Sequence, residues 1–217
     1  MRSPFDQGFY QVRCDWGAEG LARLAEGAPD IVVVVDVLRF STAVTDAVAR
    51  GETVTLDAAH AVSRNGVMVA AAASRLRPAP LVLLGCLRNA SAVARAVLTE
   101  QERRGERTSV AVIAADELPV NGSAPGAGPR FAVEDQLGAG AVIDALAELG
   151  LDHSSPEAAL ACEAFRSLRG ATRHLLTASG SGRELIDRDA RTEVLNAAEL
   201  DATDAVPVLR GGIFEAL

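Results

Sequence analysis

Residues 31–44, Ile-Val-Val-Val-Val-Asp-Val-Leu-Arg-Phe-Ser-Thr-Ala-Val, constrain the fold more than any other stretch of this chain. Five β-branched residues in succession leave no polar face, so they read as a strand covered on both sides, the kind found inside parallel sheets. An acid, an arginine and two hydroxyls follow at once, and then apolar residues at helical spacing. Ser41 or Thr42 is expected to cap this helix, so that its unpaired N–H groups and the positive end of its dipole face the strand's carboxyl end. Such a corner attracts anions, and Arg39 adds a planar fork suited to phosphate or sulfonate. Asp36 brings the opposite charge, as a metal ligand or an acid–base group does. The competing reading is architectural, because a strand-end Asp also caps helices or pairs with a neighbouring Arg.

The pattern repeats along the chain. Leu81–Gly85 and Ser109–Ala114 are further apolar runs, and helices are predicted over about 18–25, 41–50, 67–76, 91–104, 131–149, 156–169 and 179–189. Residues 8–14 and 53–56 read as short strands, and Glu193–Leu195 and Ala205–Leu209 as late ones. Strands alternating with helices predict an α/β fold: three layers, α/β/α, around a largely parallel or mixed sheet. Val35–Val44 also aligns without a gap on Leu84–Val93, matching Leu, Arg, Ala and Val, so two strand–helix corners of one design are expected side by side.

Composition narrows the function. A net charge of −8 disfavours a general nucleic-acid binder, since phosphate backbones would be repelled. No apolar stretch reaches the roughly 18 residues of a membrane span, and Met1–Asp6 lacks an apolar signal region, so a cytoplasmic protein is expected. Cys14, Cys86 and Cys162 are scattered, which fits reduced thiols better than a disulfide frame or a zinc site. All 21 basic residues are Arg, which excludes a phosphate-loop lysine and lysine-based covalent catalysis.

Other polar groups fall where α/β sites are built. Asp116 and Glu117 follow the third apolar run, and Glu134 and Asp135 open a long helix; with Asp36 they form a set of hard oxygen donors suited to Mg²⁺. Acids in a first helical turn are also favoured by the dipole alone. The loop from Pro119 to Pro129 reads as a lid or a slack connection, and Ser179–Arg183 as a glycine-rich turn carrying an arginine. Cys86 follows a buried strand, but no histidine is placed by sequence to activate it as a nucleophile.

Taken in order, Asp36-Val-Leu-Arg39, Ser41-Thr42, Leu87-Arg-Asn89-Ala-Ser91-Ala-Val-Ala94, Phe131-Ala-Val-Glu134-Asp135, Ser181-Gly-Arg183 and Val206-Pro-Val208 resemble the 2-phosphosulfolactate phosphatase family of coenzyme M biosynthesis. The resemblance spans about residues 30–217 and implies one α/β domain over 1–217 with Mg²⁺-dependent hydrolysis of a small phosphomonoester whose other end is anionic. It implies that Asp36 and Asp135 hold Mg²⁺, with Glu134 and Arg39 beside them in catalysis. Arg39, Ser41 and Thr42 would hold the phosphate, while Asn65, Asn89, Ser91 and Arg183 complete the substrate site. The chain departs from the family between His60 and Leu81, where a Glu-Arg-Gly-Gly loop and an Asn-Ser-Pro turn are absent and Asn65-Gly66 stands for a Thr-Asn-Gly-Thr turn. The alternative is therefore a non-catalytic, anion-binding relative that has lost the active-site loop. The oligomeric state stays open, a homodimer included.

Overall fold

The computed structural model describes residues 3–60, 63, 65–117 and 130–217. Its strands are β1 (Val12–Trp16), β2 (Ile31–Val35), β3 (Val54–Thr55), β4 (Leu81–Gly85), β5 (Val110–Ala114), β6 (Pro207–Arg210) and β7 (Ile213–Ala216). They join in one sheet of order β1-β5-β2-β4-β6-β7-β3. The first four run parallel, with Val33 opposite both Val112 and Leu83. The last three are added antiparallel. The mixed α/β fold is thus as the sequence predicts. The predicted loop over 119–129 lies outside the described residues.

The helices are α1 (Gly17–Ala25), α2 (Phe40–Ala49), α3 (Leu56–Ala59), α4 (Asn65–Ala73), α5 (Ala90–Arg104), α6 (Val133–Glu148), α7 (Pro156–Leu168), α8 (Thr172–Ala178), α9 (Gly180–Asp187) and α10 (Arg191–Ala197). Alternation along β2 divides the core. Ile31, Val33 and Val35 pack with residues of α5, α6 and α7, while Val32 and Val34 pack with Leu21, Leu24, Phe40, Val44 and Val67 of α1, α2 and α4. All five β2 side chains are fully buried, as an all-apolar strand between two helical layers requires.

Two local predictions fail. Glu193–Leu195 is not a strand but part of α10, where Val194 is fully buried against the α5–α6 side. A run of three residues carries no period, and the packing around it selects the helix. Strand β7 escaped the sequence reading, although Gly211 and Gly212 take φ values of 57° and 85° and close a two-residue hairpin that only glycine enters freely.

Neighbouring parallel strands send their chains to opposite layers: β1 and β2 lead to α1 and α2, β4 and β5 to α5 and α6. Loops that part in this way leave crevices beyond the strands' carboxyl ends, where α/β proteins bind ligands. The crevice between β2 and β4 is closed by protein. Buried Asn89 sits there, donating from Nδ2 to the Thr45 hydroxyl on α2 (3.4 Å) and to the carbonyls of Leu84 (3.2 Å) and Ala205 (3.0 Å), and accepting on Oδ1 from Cys86 N–H (2.9 Å). The crevice between β2 and β5 holds the acids.

Candidate active site

Asp36 ends β2 and is buried to 3% exposure. Its Oδ1 accepts from Phe40 N–H (3.1 Å); its Oδ2 accepts from the Ser63 hydroxyl (2.7 Å) and Gly66 N–H (3.1 Å). One carboxylate thus ties together the start of α2, the start of α4 and Ser63. Burial raises its pKa, opposed by those hydrogen bonds, and the nearby Glu134 charge adds to the rise.

The capping expectation for Ser41 and Thr42 is corrected here. The helix starts one residue earlier, at Phe40, and Asp36 supplies the first acceptor. The Ser41 hydroxyl is consumed inside, donating to Val34 C=O (3.1 Å) and accepting from Asp36 N–H (3.0 Å), and Thr42 donates to Val37 C=O (2.8 Å). Arg39 does not pair with Asp36; its guanidinium bonds Glu193 at 2.6 Å, and both side chains are exposed by more than a third. A protein carboxylate therefore stands where the sequence reading put a bound anion.

The second corner follows the same rule. Strand register sets Val35 opposite Gly85, so the two corners superimpose with a shift of one residue from the gap-free alignment, and Ser41 corresponds to Ser91. Asp201 caps α5, accepting from Ser91 N–H (2.8 Å) and the Ser91 hydroxyl (2.7 Å). Ser91 and Asn89 are thus engaged in holding the 201–205 segment to this corner. Arg88 is bound by Asp46 and Glu199. Arg183 lies exposed on α9, and among the described residues no hydrogen bond or ion pair joins its side chain to these groups.

What the structure does bring together is acidic. Asp116 and Glu117 follow β5, and Glu134 and Asp135 open α6. Asp135 Oδ1 accepts from Val37 N–H at 2.7 Å, which docks α6 onto the end of β2. Burial, then the charges of Asp36 and Glu134, push the Asp135 pKa well up. Burial raises Glu117 as well, against a hydrogen bond from the Ser181 hydroxyl. Asp116 is pushed up to about 6 by burial and then by Glu117, Glu19 and Asp36. Glu134 is 2% exposed, and among the described residues no hydrogen bond reaches its carboxylate.

The pH dependence follows from Asp116, whose ordinary value is 3.8 and whose folded value is about 6. Between those values the folded state holds the extra proton, so stability falls as pH rises from about 4 to 6 and is level above. Asp116→Asn removes the effect. Asn tolerates the left-handed backbone here (φ 61°). The variant is expected to be more stable than wild type above pH 6, by about 1 kcal/mol after allowance for solvent on the cavity side, and equal to it below pH 4. Melting curves across pH 3.5–8 check this.

Beside the acids lies a cavity of about 440 Å³ whose lining includes Trp16, Asn65, Met68, Asp116, Arg130 and Phe131. Asn65 donates to Asp116 C=O (3.0 Å), so it sits on the boundary between cavity and acid cluster. Arg130 pairs backbone to backbone with Glu117, and among the described residues no ion pair holds its guanidinium. Sequence reasoning missed Ser63, Arg130 and the cavity's aromatic wall, because each belongs to a loop or an element end with no periodic signal.

A family model for 2-phosphosulpholactate phosphatase matches residues 52–212. The chain belongs to that family. The matched span takes in the Asn89–Ser91 corner, Glu134, Asp135 and Ser181, while Asp36 and Arg39 precede it. No curated protein matches the chain. As a member of a phosphatase family, this chain carries acids and a cavity where its sheet loops diverge.

Whether the acids suit a divalent ion can be judged from their surroundings. Among the described residues, no three His, Cys, Asp or Glu side chains lie close enough to enclose one. Mg²⁺ does not require that, since it commonly takes one or two carboxylates and completes its shell with water and phosphate oxygens. Glu134, with no hydrogen bond from the protein, and Asp135, with Oδ2 not engaged by Val37, fit that role better than Asp36, whose two oxygens already take three bonds.

Proposed function

We propose that the chain is a Mg²⁺-dependent phosphatase that hydrolyses 2-phosphosulfolactate or a similar small phosphorylated acid to the 2-hydroxy acid and phosphate. The observation that carries this is the convergence of Asp36, Asp116, Glu117, Glu134 and Asp135 beyond β2 and β5, with a raised pKa at four of the five. A chain does not gain stability by burying like charges together, and perturbed carboxylates in a crevice mark sites where charge is put to use.

Glu134 and Asp135 would hold the ion, which when bound polarises the phosphoryl oxygens. Arg130, which lines the cavity without an ion pair among the described residues, would face the phosphate. Asp116, with its pKa near the working range, takes the proton from the attacking water; as the P–O bond to the hydroxy acid breaks, Asp116 hands that proton to the leaving oxygen. Asp36 positions rather than reacts, because its bonds set the geometry of both α2 and α4. The Cys86 alternative finds no support, since burial raises that thiol's pKa and leaves it protonated. No helix among the described residues is long and apolar enough to cross a membrane, and the three cysteines are free and buried, which supports a reducing, cytoplasmic setting.

The test is phosphate release from 2-phosphosulfolactate and 2-phospholactate, with and without Mg²⁺, for wild type and Glu134→Gln. Turnover is expected only with Mg²⁺, and the variant should lose roughly a hundredfold while melting as wild type does. Equal background in every arm would leave the non-catalytic relative as the better reading.

A further inference from the structure

The cavity beside the acids is built for more than a three-carbon acid. Its volume of about 440 Å³ falls within the range of roughly 300–1,000 Å³ that encloses larger organic ligands. Part of its lining is apolar: Trp16 and Phe131, with ring centroids 4.9 Å apart and planes at 42°, together with Met68 and Val69. Phe131 is 60% exposed and Met68 48% exposed. Large apolar side chains kept open on one concave wall mark a surface that another apolar group covers. Another part of the lining is polar. Asn65 and Asp116 belong to both cavity and acid cluster, and Arg130 lines the cavity with no ion pair among the described residues, its charge felt by the Glu117 carboxylate. Glu19 also lines the cavity, and Arg23 lines it with its guanidinium taken by Asp15. Among the described lining residues, Arg130 is thus the cation left for an incoming anion, and the aromatic pair lines the same cavity.

Resting on the phosphatase reading, we propose that the small phosphorylated acid it hydrolyses carries a flat apolar arm, an aryl group. The arm packs on Trp16 and Phe131 while the phosphate lies between Arg130 and the acids. Aromatic side chains reward such an arm both through buried area and through ring-to-ring geometry.

Trp16 is the chain's one tryptophan, so its fluorescence reports occupancy of this wall without turnover. The probes are benzylphosphonate and methylphosphonate, whose P–C bonds resist hydrolysis, titrated with Mg²⁺ present. Benzylphosphonate is expected to shift the emission and to bind at least about tenfold more tightly than methylphosphonate. In Phe131→Ala, an exposed position that the fold does not depend on, that ratio should fall to within about threefold. In Leu160→Ala, a control on the exposed face of α7, the ratio should persist. Equal affinities for the two phosphonates, or a preference that survives Phe131→Ala, overturns the proposal. Phosphate release from 2-phospholactate and its 3-phenyl analogue separates the two readings. Discrimination between phosphonates with no release from either ester keeps the aromatic wall and sinks the phosphatase. Equal release from both esters with equal phosphonate affinities does the reverse.

Discussion

Asp36→Ala is expected to abolish Mg²⁺-dependent phosphate release and to destabilise the protein together. The alanine leaves Phe40 N–H, Gly66 N–H and the Ser63 hydroxyl without their acceptor. Each buried donor left unpaired costs about 1–3 kcal/mol, and relief from burying a carboxylate offsets part of the total. A net loss of about 3 kcal/mol is expected, which for a chain of this size lowers the melting temperature by roughly 6–12 °C. Asp36→Asn separates the two effects. Its Oδ1 still accepts from Phe40, and the Ser63 hydroxyl can turn to accept from the amide. Only the Gly66 N–H meets a donor, so the stability loss should be about half as large. The rate should still fall by roughly a hundredfold or more, because the electrostatics and the placement of α4 change. Urea melts and phosphate release, run on both variants, read out the two effects.

The other large effect is on packing. Gly140 sits in the middle of α6 where α7 crosses it, and a Cβ there would lie 2.2 Å from the Ala161 carbonyl oxygen and 2.7 Å from Phe165 Cβ. In an open helix Gly→Ala stabilises by up to about 1 kcal/mol. Here the contacted atoms are a backbone carbonyl and a side-chain root, neither of which can swing aside. The helices must part, at a cost of about 3 kcal/mol. The sign of the measured change therefore decides between propensity and packing, and a loss is expected. Because α6 carries Glu134 and Asp135, Gly140→Ala should also reduce turnover without touching an acid.

The sheet and its flanking helices were legible because the parallel strands advertise themselves. Ile31–Val35 and Leu81–Gly85 are apolar on both faces, and only a strand between two helical layers makes use of that. The ends of the chain were harder to read. Val194-Leu195 is too short to show a period, and β7 is a four-residue strand whose best clue was the Gly-Gly turn rather than its own alternation. For the site, residue types at strand ends pointed to the crevice where the acids gather, yet their partners were misread. Asp36 and Arg39 are three residues apart and opposite in charge, which suggests a pair. The fold instead turns Asp36 inward to backbone N–H groups and sends Arg39 outward to Glu193 on α10. That choice depends on an element 154 residues away in the chain, which local sequence does not encode. Ser91 was misread for the same reason, its partner being Asp201.

Calorimetric titration of the protein with Mg²⁺ at pH 6, in two buffers of different ionisation enthalpy, tests the central claim most directly. If the acids between β2 and β5 form one cation site, Mg²⁺ must displace the protons that burial and then mutual repulsion hold there, Asp116 being near half-protonated at its value of about 6. The prediction is saturable binding with release of on the order of half a proton or more per ion, weakened at least about tenfold in Glu134→Gln. Absence of saturable binding, or binding that releases no proton and ignores Glu134→Gln, would contradict the account.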